Sequence, residues 1–99
     1  MTEAYFKRFE RMCADLIHGT RYPANTGGKI DVESQEWAGQ CKIVAECSLE
    51  ALTKMVEETQ AVAAKKGKRG VLLIRVKRGR GVKAPTLAVL TSETWEVEE

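Results

Sequence analysis

Val71-Leu72-Leu73-Ile74 is the stretch that most restricts the folds open to this chain. Four consecutive apolar residues are followed by the alternation Arg75-Val76-Lys77, the pattern of a strand buried on both faces that emerges towards solvent. Upstream, Ser48 is placed to cap a helix over Leu49 to Lys66, with Glu50 in its first turn, Lys65 and Lys66 in its last and Gly67 as its stop. Leu49, Leu52, Met55, Val56, Thr59, Val62 and Ala63 give that helix one apolar face. A second strand, Ala38 to Val44, precedes it, so the helix is read as a crossover between two parallel strands.

The rest of the chain fits around that unit. Tyr5, Phe6, Phe9, Met12, Cys13, Leu16 and Ile17 recur at three-and-four spacing over Glu3 to His18, and Gly19 follows, so an amphipathic helix is expected there. Pro23, Asn25 and Gly27-Gly28 mark Thr20 to Gly28 as a loop leading to a strand over Lys29 to Glu33. Ser34-Gln35-Glu36 reads as a turn, Arg78 to Pro85 as a glycine-rich basic turn, and Thr86 to Thr91 as a final strand. The expected fold is α/β, a central mixed sheet flanked by helices and formed as a single domain over residues 1–99.

With 43% hydrophobic and 30% charged residues the chain has globular composition. No apolar run approaches membrane-spanning length and the N-terminus lacks a signal-peptide h-region, so an intracellular protein with no membrane partner is expected. Three cysteines, at 13, 41 and 47, make neither a disulfide framework nor a zinc spacing. His18 reads as a residue favoured by the end of the first helix.

Candidate chemistry gathers on the first strand pair. If both segments are extended, Gln40 and Lys42 share one face and look towards Asp31, while Trp37, Gly39, Cys41 and Ile43 take the other. A carboxylate and an amide oxygen suit a hard divalent cation, and a nearby ammonium can orient water or neutralise charge on a phosphate. Glu10 falls at the edge of the first helix's buried face, where a carboxylate needs a partner. Either a salt bridge to Arg21 or Lys42 or a role as a metal ligand satisfies that need.

Net charge is only +2, but nine basic residues and no acidic one lie between Lys65 and Lys83, while four glutamates fall in the last seven residues. Two basic segments, one on each side of the apolar strand, are expected to meet and to bind a polyanion, nucleic acid above all. Arg21, Asn25 and Thr26 offer further phosphate donors in a loop whose glycines allow a backbone to approach.

Asp31, then eight residues, then Gln40-Cys41-Lys42 resembles the active-site motif of the PD-(D/E)XK nucleases, with Gln40 where the family most often has Glu. The resemblance covers nearly the whole chain and implies a restriction endonuclease-like core in the order α-β-β-β-α-β. With Lys7-Arg8-Phe9-Glu10-Arg11 in the first helix and glycines before Asp31, the chain is most similar to archaeal and phage Holliday junction resolvases. That implies a metal-dependent endonuclease acting on branched DNA as a homodimer, in a prokaryotic or phage-infected cell. Glu10, Asp31, Gln40 and Lys42 would be catalytic, and Glu10, Asp31, Gln40 and the Cys41 carbonyl would hold Mg²⁺ or Mn²⁺. Arg21, Thr26, Lys77, Arg78, Arg80 and Lys83 would contact DNA. Two other readings stand beside it: a restriction- or repair-type endonuclease on duplex DNA, and a nuclease-like module that only binds nucleic acid.

Overall fold

The computed structural model describes residues 2–22, 30–79 and 81–95. Five strands form one mixed sheet in the order β1-β2-β3-β4-β5, with a helix on each face. The elements are α1 (Thr2–Leu16), β1 (Thr20–Arg21), β2 (Val32–Glu33), β3 (Trp37–Val44), α2 (Leu49–Lys65), β4 (Arg69–Val76) and β5 (Thr86–Val89). β3 and β4 are parallel and all other neighbouring pairs antiparallel, as the crossover through α2 requires.

Local signals explain α2. Ser48 Oγ accepts from the Ala51 N–H at 3.0 Å, satisfying a donor that a helix N-terminus otherwise leaves unpaired. At the other end Gly67 adopts φ 71°, and the Gly67 and Lys68 amides return to the carbonyls of Ala64 and Ala63, the double bond of a Schellman cap. Val56, Thr59 and Ala63 are its buried stripe. Leu49 belongs to the expected apolar face but is 78% exposed, because the first turn of α2 has not yet reached the sheet.

β4 is the centre of the core. Val71 and Leu73 pack with Phe9, Cys13, Ala14, Val32 and Cys41 on the α1 face, while Leu72 and Ile74 pack with Val56 on the α2 face. That division is the reason for the unbroken apolar run: a strand covered on both sides has no polar side to alternate with.

α1 ends at Leu16, and the left-handed residue that follows is His18, at φ 57°, rather than Gly19. Gly19 has a different task, since a Cβ there would stand 2.2 Å from the Glu33 carbonyl oxygen. The close approach lets the chain turn back as β1, pairing Thr20 with Glu33 and Arg21 with Val32, where the sequence suggests only a loop. α1 packs mainly on β1, β2 and β3. Its last turn therefore leaves Leu16 exposed beside an apolar groove of about 740 Å³ that Trp37, Leu73 and Leu90 help to line.

Candidate functional site at the end of strands β2 and β3

The pairing of β2 with β3 stops early. Val32 faces Gly39 and Glu33 faces Ala38, but the next position is taken by the carboxylate of Asp31 in place of a backbone carbonyl. Asp31 Oδ2 accepts from the Cys41 N–H at 2.8 Å, and the Asp31 backbone is held by Tyr22 N–H donating to its carbonyl at 2.8 Å and by its own N–H donating to Gly39 at 2.9 Å. N–H and C=O of one strand residue point to the same side, so the Cys41 carbonyl is directed to the side of Asp31.

Burial raises the Asp31 carboxyl above its ordinary value of 3.8, opposed by the Cys41 N–H and by the ammonium of Lys42. Glu10 is raised too, by burial and then by the charge of Asp31, with Arg21 and Lys7 acting in the opposite sense. Asp31 is thus within electrostatic reach of Glu10 on one hand and of Lys42 on the other. Of the partners open to Glu10 from sequence, Arg21 is one the structure supplies, with Nε 3.5 Å from Oε1. Arg21 also donates to the Tyr22 carbonyl at 3.3 Å, which places it inside the corner and only partly accessible to a DNA backbone.

Gln40 is drawn towards α2. The Thr59 hydroxyl, fully buried, lies 2.9 Å from Gln40 Oε1 and 2.8 Å from the Met55 carbonyl. One hydroxyl proton cannot serve both acceptors at once, so the Gln40 oxygen keeps lone-pair capacity for a further partner. Thr59 has no part in the sequence reading beyond the helix's apolar face. What marks it is a buried polar side chain at a core position, which requires a partner.

Among the described residues no three His, Cys, Asp or Glu side chains gather into a ready-made metal cluster. The charge of Asp31 reaches Glu10, and the Cys41 carbonyl is directed to the side of Asp31; all three are oxygen donors of the kind that suits a hard cation. Behind it the buried thiols of Cys13 and Cys41 are hydrogen-bonded to each other, which lowers Cys13 and, with burial, raises Cys41. Both belong to the packing of α1 on β3.

The two basic segments do not meet. Lys65 to Arg69 lie at the start of β4 and Arg75 to Lys83 at its end, a separation of roughly 20 Å at the rise of an extended strand. The first group is partly offset: Lys66 and Lys68 share Glu33, and Arg69 pairs with Glu36 at 2.7 Å and stacks over Trp37. Burial would raise Glu33, but the Lys68 and Lys66 contacts outweigh it and hold the carboxyl below its ordinary value. Lys77, Arg78 and Lys83 are exposed at the β4–β5 turn, where Arg78 Nη1 donates to the Lys83 carbonyl at 3.0 Å and Gly81 takes φ 79°. Arg80 and Thr26 lie outside the described residues, as do Asn25 and the Gly27-Gly28 pair.

That turn and the carboxylate corner share one end of the sheet. Lys42 pairs with Ile74 and Val44 with Val76, and the Lys77 N–H donates to the Val44 carbonyl, so the backbones of Lys42 and Lys77 are on the order of 10 Å apart. The apolar groove by Leu16 lies towards the opposite end, beside Ser34 and Trp37, away from these groups. No family model, curated protein or solved structure shows a significant match to the chain.

Proposed function

We propose that this chain is a metal-dependent DNA endonuclease that hydrolyses phosphodiesters, of the structure-selective Holliday junction resolvase type. The observation that supports the reading best is the half-buried Asp31 carboxylate, which accepts from the Cys41 N–H where β2 gives way to a side chain and lies within electrostatic reach of both Lys42 and Glu10. The mixed five-stranded sheet with a helix on each face is compatible with it.

Two carboxylates that repel each other in a half-buried corner fit a divalent cation, Mg²⁺ or Mn²⁺, which would remove the repulsion. Asp31, Glu10 and the Cys41 carbonyl would hold it, with the Gln40 oxygen as a neutral fourth donor. A bound ion of this kind supplies charge stabilisation on a phosphate oxygen and a more acidic water. The chain's own residues do the rest. The Cys41 N–H fixes Asp31 through Oδ2 and leaves Oδ1 as the oxygen for an ion. Lys42 places its ammonium within electrostatic reach of Asp31, where it can orient a water or offset charge developing on the phosphate. Lys77, Arg78 and Lys83 bind neighbouring phosphates without reading sequence.

Cutting two opposed strands of a four-way junction needs two active sites, so the reading carries a symmetric dimer with it. One observation favours the binding-only reading: Glu10 is engaged by Arg21 and Gln40 by Thr59, which leaves Asp31 as the single acid without a salt-bridge partner at the corner. A cleavage assay on four-way junction, duplex and single-stranded DNA, each with and without Mg²⁺ or Mn²⁺, separates these readings. Junction cleavage in the parent that is lost in Asp31→Ala is the expected result. Metal-independent activity, or equal activity in both proteins, would remove the proposed site.

A further inference from the structure

Arg75 is a half-buried cation with no acid. Arg21 and Arg69, the other half-buried arginines, each have a carboxylate, whereas no ion pair includes Arg75 among the described residues. Neutral groups hold it instead. Nη1 donates to Tyr5 Oη at 3.2 Å, Nη2 donates to Thr86 Oγ1 at 2.8 Å, Met12 Sδ lies 3.6 Å from Nη2, and the guanidinium carbon sits 4.8 Å from the Phe9 ring centroid. Nε is buried with no hydrogen-bond partner.

An arginine present only for packing would bury its stem and keep its head in water. Here three elements, α1, β4 and the first residue of β5, orient the guanidinium and none neutralises it. A desolvated charge without a counter-charge is costly, and Tyr5 takes only one of the two Nη1 N–H groups, so the other can donate to an oxyanion. Arg75 lines a concavity of about 520 Å³ together with Tyr5, Lys77, Arg78 and Lys83, and among the described residues no acidic side chain shares its lining. Its register partner is Ile43, two residues beyond Cys41 on the same face of β3, so the concavity lies on the α1 side of the sheet.

We propose that this concavity is a phosphate subsite in which Arg75 seats one non-scissile phosphate of a nucleic-acid backbone, with Lys77 and Lys83 as flanking charges. The assignment rests on the nucleic-acid reading above and adds the residue that anchors the backbone beside the site of cleavage.

The test uses the folded chain without metal, so that binding is read apart from cleavage. Parent, Arg75→Gln and Arg75→Lys are titrated with an oligothymidylate and, separately, with inorganic phosphate over a range of salt, while the Arg75 Nε–H resonance is followed in the parent. Oligothymidylate is expected to shift that resonance. Arg75→Gln should bind it about tenfold more weakly, with a salt slope lower by about one. Arg75→Lys should recover the slope but not the affinity, because an ammonium restores the charge but cannot bond Tyr5 and Thr86 at once while donating to a phosphate. Because Arg75 also packs on Phe9, the resonance in the unmutated parent stands as a readout free of any folding defect. Tight oligothymidylate binding with an unmoved Arg75 resonance would overturn the subsite and leave the nucleic-acid reading in place. Failure of the parent to bind oligothymidylate, while inorganic phosphate shifts the resonance, would overturn the backbone assignment together with that reading.

Discussion

The Cys41 N–H donates to Asp31 Oδ2 at 2.8 Å, where a backbone carbonyl of β2 would stand if the strand continued. A side chain that finishes a ladder is held as firmly as the ladder itself, yet it remains a carboxylate. The corner therefore presents a positioned charge in surroundings that disfavour that charge, and Glu10 beside it has the same conflict. Stability is given up there in a form that a cation would recover.

The first prediction follows from the sign of those shifts. Asp31 and Glu10 are both held above their ordinary values of 3.8 and 4.5, so the folded state binds these protons more tightly than the unfolded chain does. Their effect on stability is most favourable below those ordinary values and is lost as pH rises towards the raised ones. The Asp31→Asn, Glu10→Gln double variant should melt above the parent at pH 7, with the difference vanishing in acid. Millimolar Mg²⁺ should raise the melting temperature of the parent and not of the variant. Thermal melts across pH, with and without the ion, check both statements, and a double variant that melts lower at pH 7 would contradict the first.

Gln40 gives the second. Gln40→Glu adds a charge to an oxygen set that already suits a divalent cation, so the Mg²⁺ concentration needed for half-maximal cleavage should fall. Gln40→Ala should raise it, and Asp31→Ala should abolish cleavage. Lys42→Ala should lower the rate on the order of 10²–10³-fold while junction affinity stays close to the parent's, since its role is in the reacting state. Metal titrations of single-turnover cleavage beside a gel-shift measurement distinguish these four outcomes.

The separation of the two basic segments gives a paired third prediction. Lys77→Ala with Lys83→Ala should reduce the salt slope of DNA binding by about two and leave the melting temperature near the parent's, because both side chains are exposed. Lys66→Ala with Lys68→Ala should do the reverse. It leaves Glu33 without either cation, at a cost of roughly 1–3 kcal/mol, and removes no charge from the end of the sheet where DNA is proposed to lie. Equal losses of salt slope in the two pairs would place DNA at both ends.

Gly70 supplies a fourth, on stability alone. An added Cβ would stand 2.6 Å from the Gln60 Cα, where α2 crosses β4 with backbone close to backbone. Gly70→Ala should cost about 1–3 kcal/mol of overpacking, and chemical denaturation should report it as a shifted midpoint at unchanged m-value. An unchanged midpoint would mean that α2 can move off the sheet without loss.

Sequence by itself determined the parts of this protein whose causes are local. The bounds of α2 follow from Ser48, Gly67 and a three-and-four apolar stripe, and the structure places the helix over Leu49–Lys65 with those two residues at its ends. The unbroken run at Val71 identified β4, and alternation in β3 divided Trp37, Cys41 and Ile43 from Gln40, now found packed with α1 and bonded to α2 respectively. Periodicity and capping act over a few residues, so they are written in a short window. Tertiary structure alone decided what depends on distance through space. Lys65 to Arg69 and Arg75 to Lys83 are near in sequence but an eight-residue strand holds them apart, and acids from the β2–β3 hairpin pair only with the first. Glu10 had two candidate partners until β1 brought Arg21 to it, and Gln40 met Thr59 only because α2 crosses back over β3. Arg75 looked like one more charge in a basic run. Its neutral cradle draws on Tyr5, Phe9 and Met12 from the far end of the chain, contacts that no local pattern encodes because they exist only once α1 is packed on the sheet.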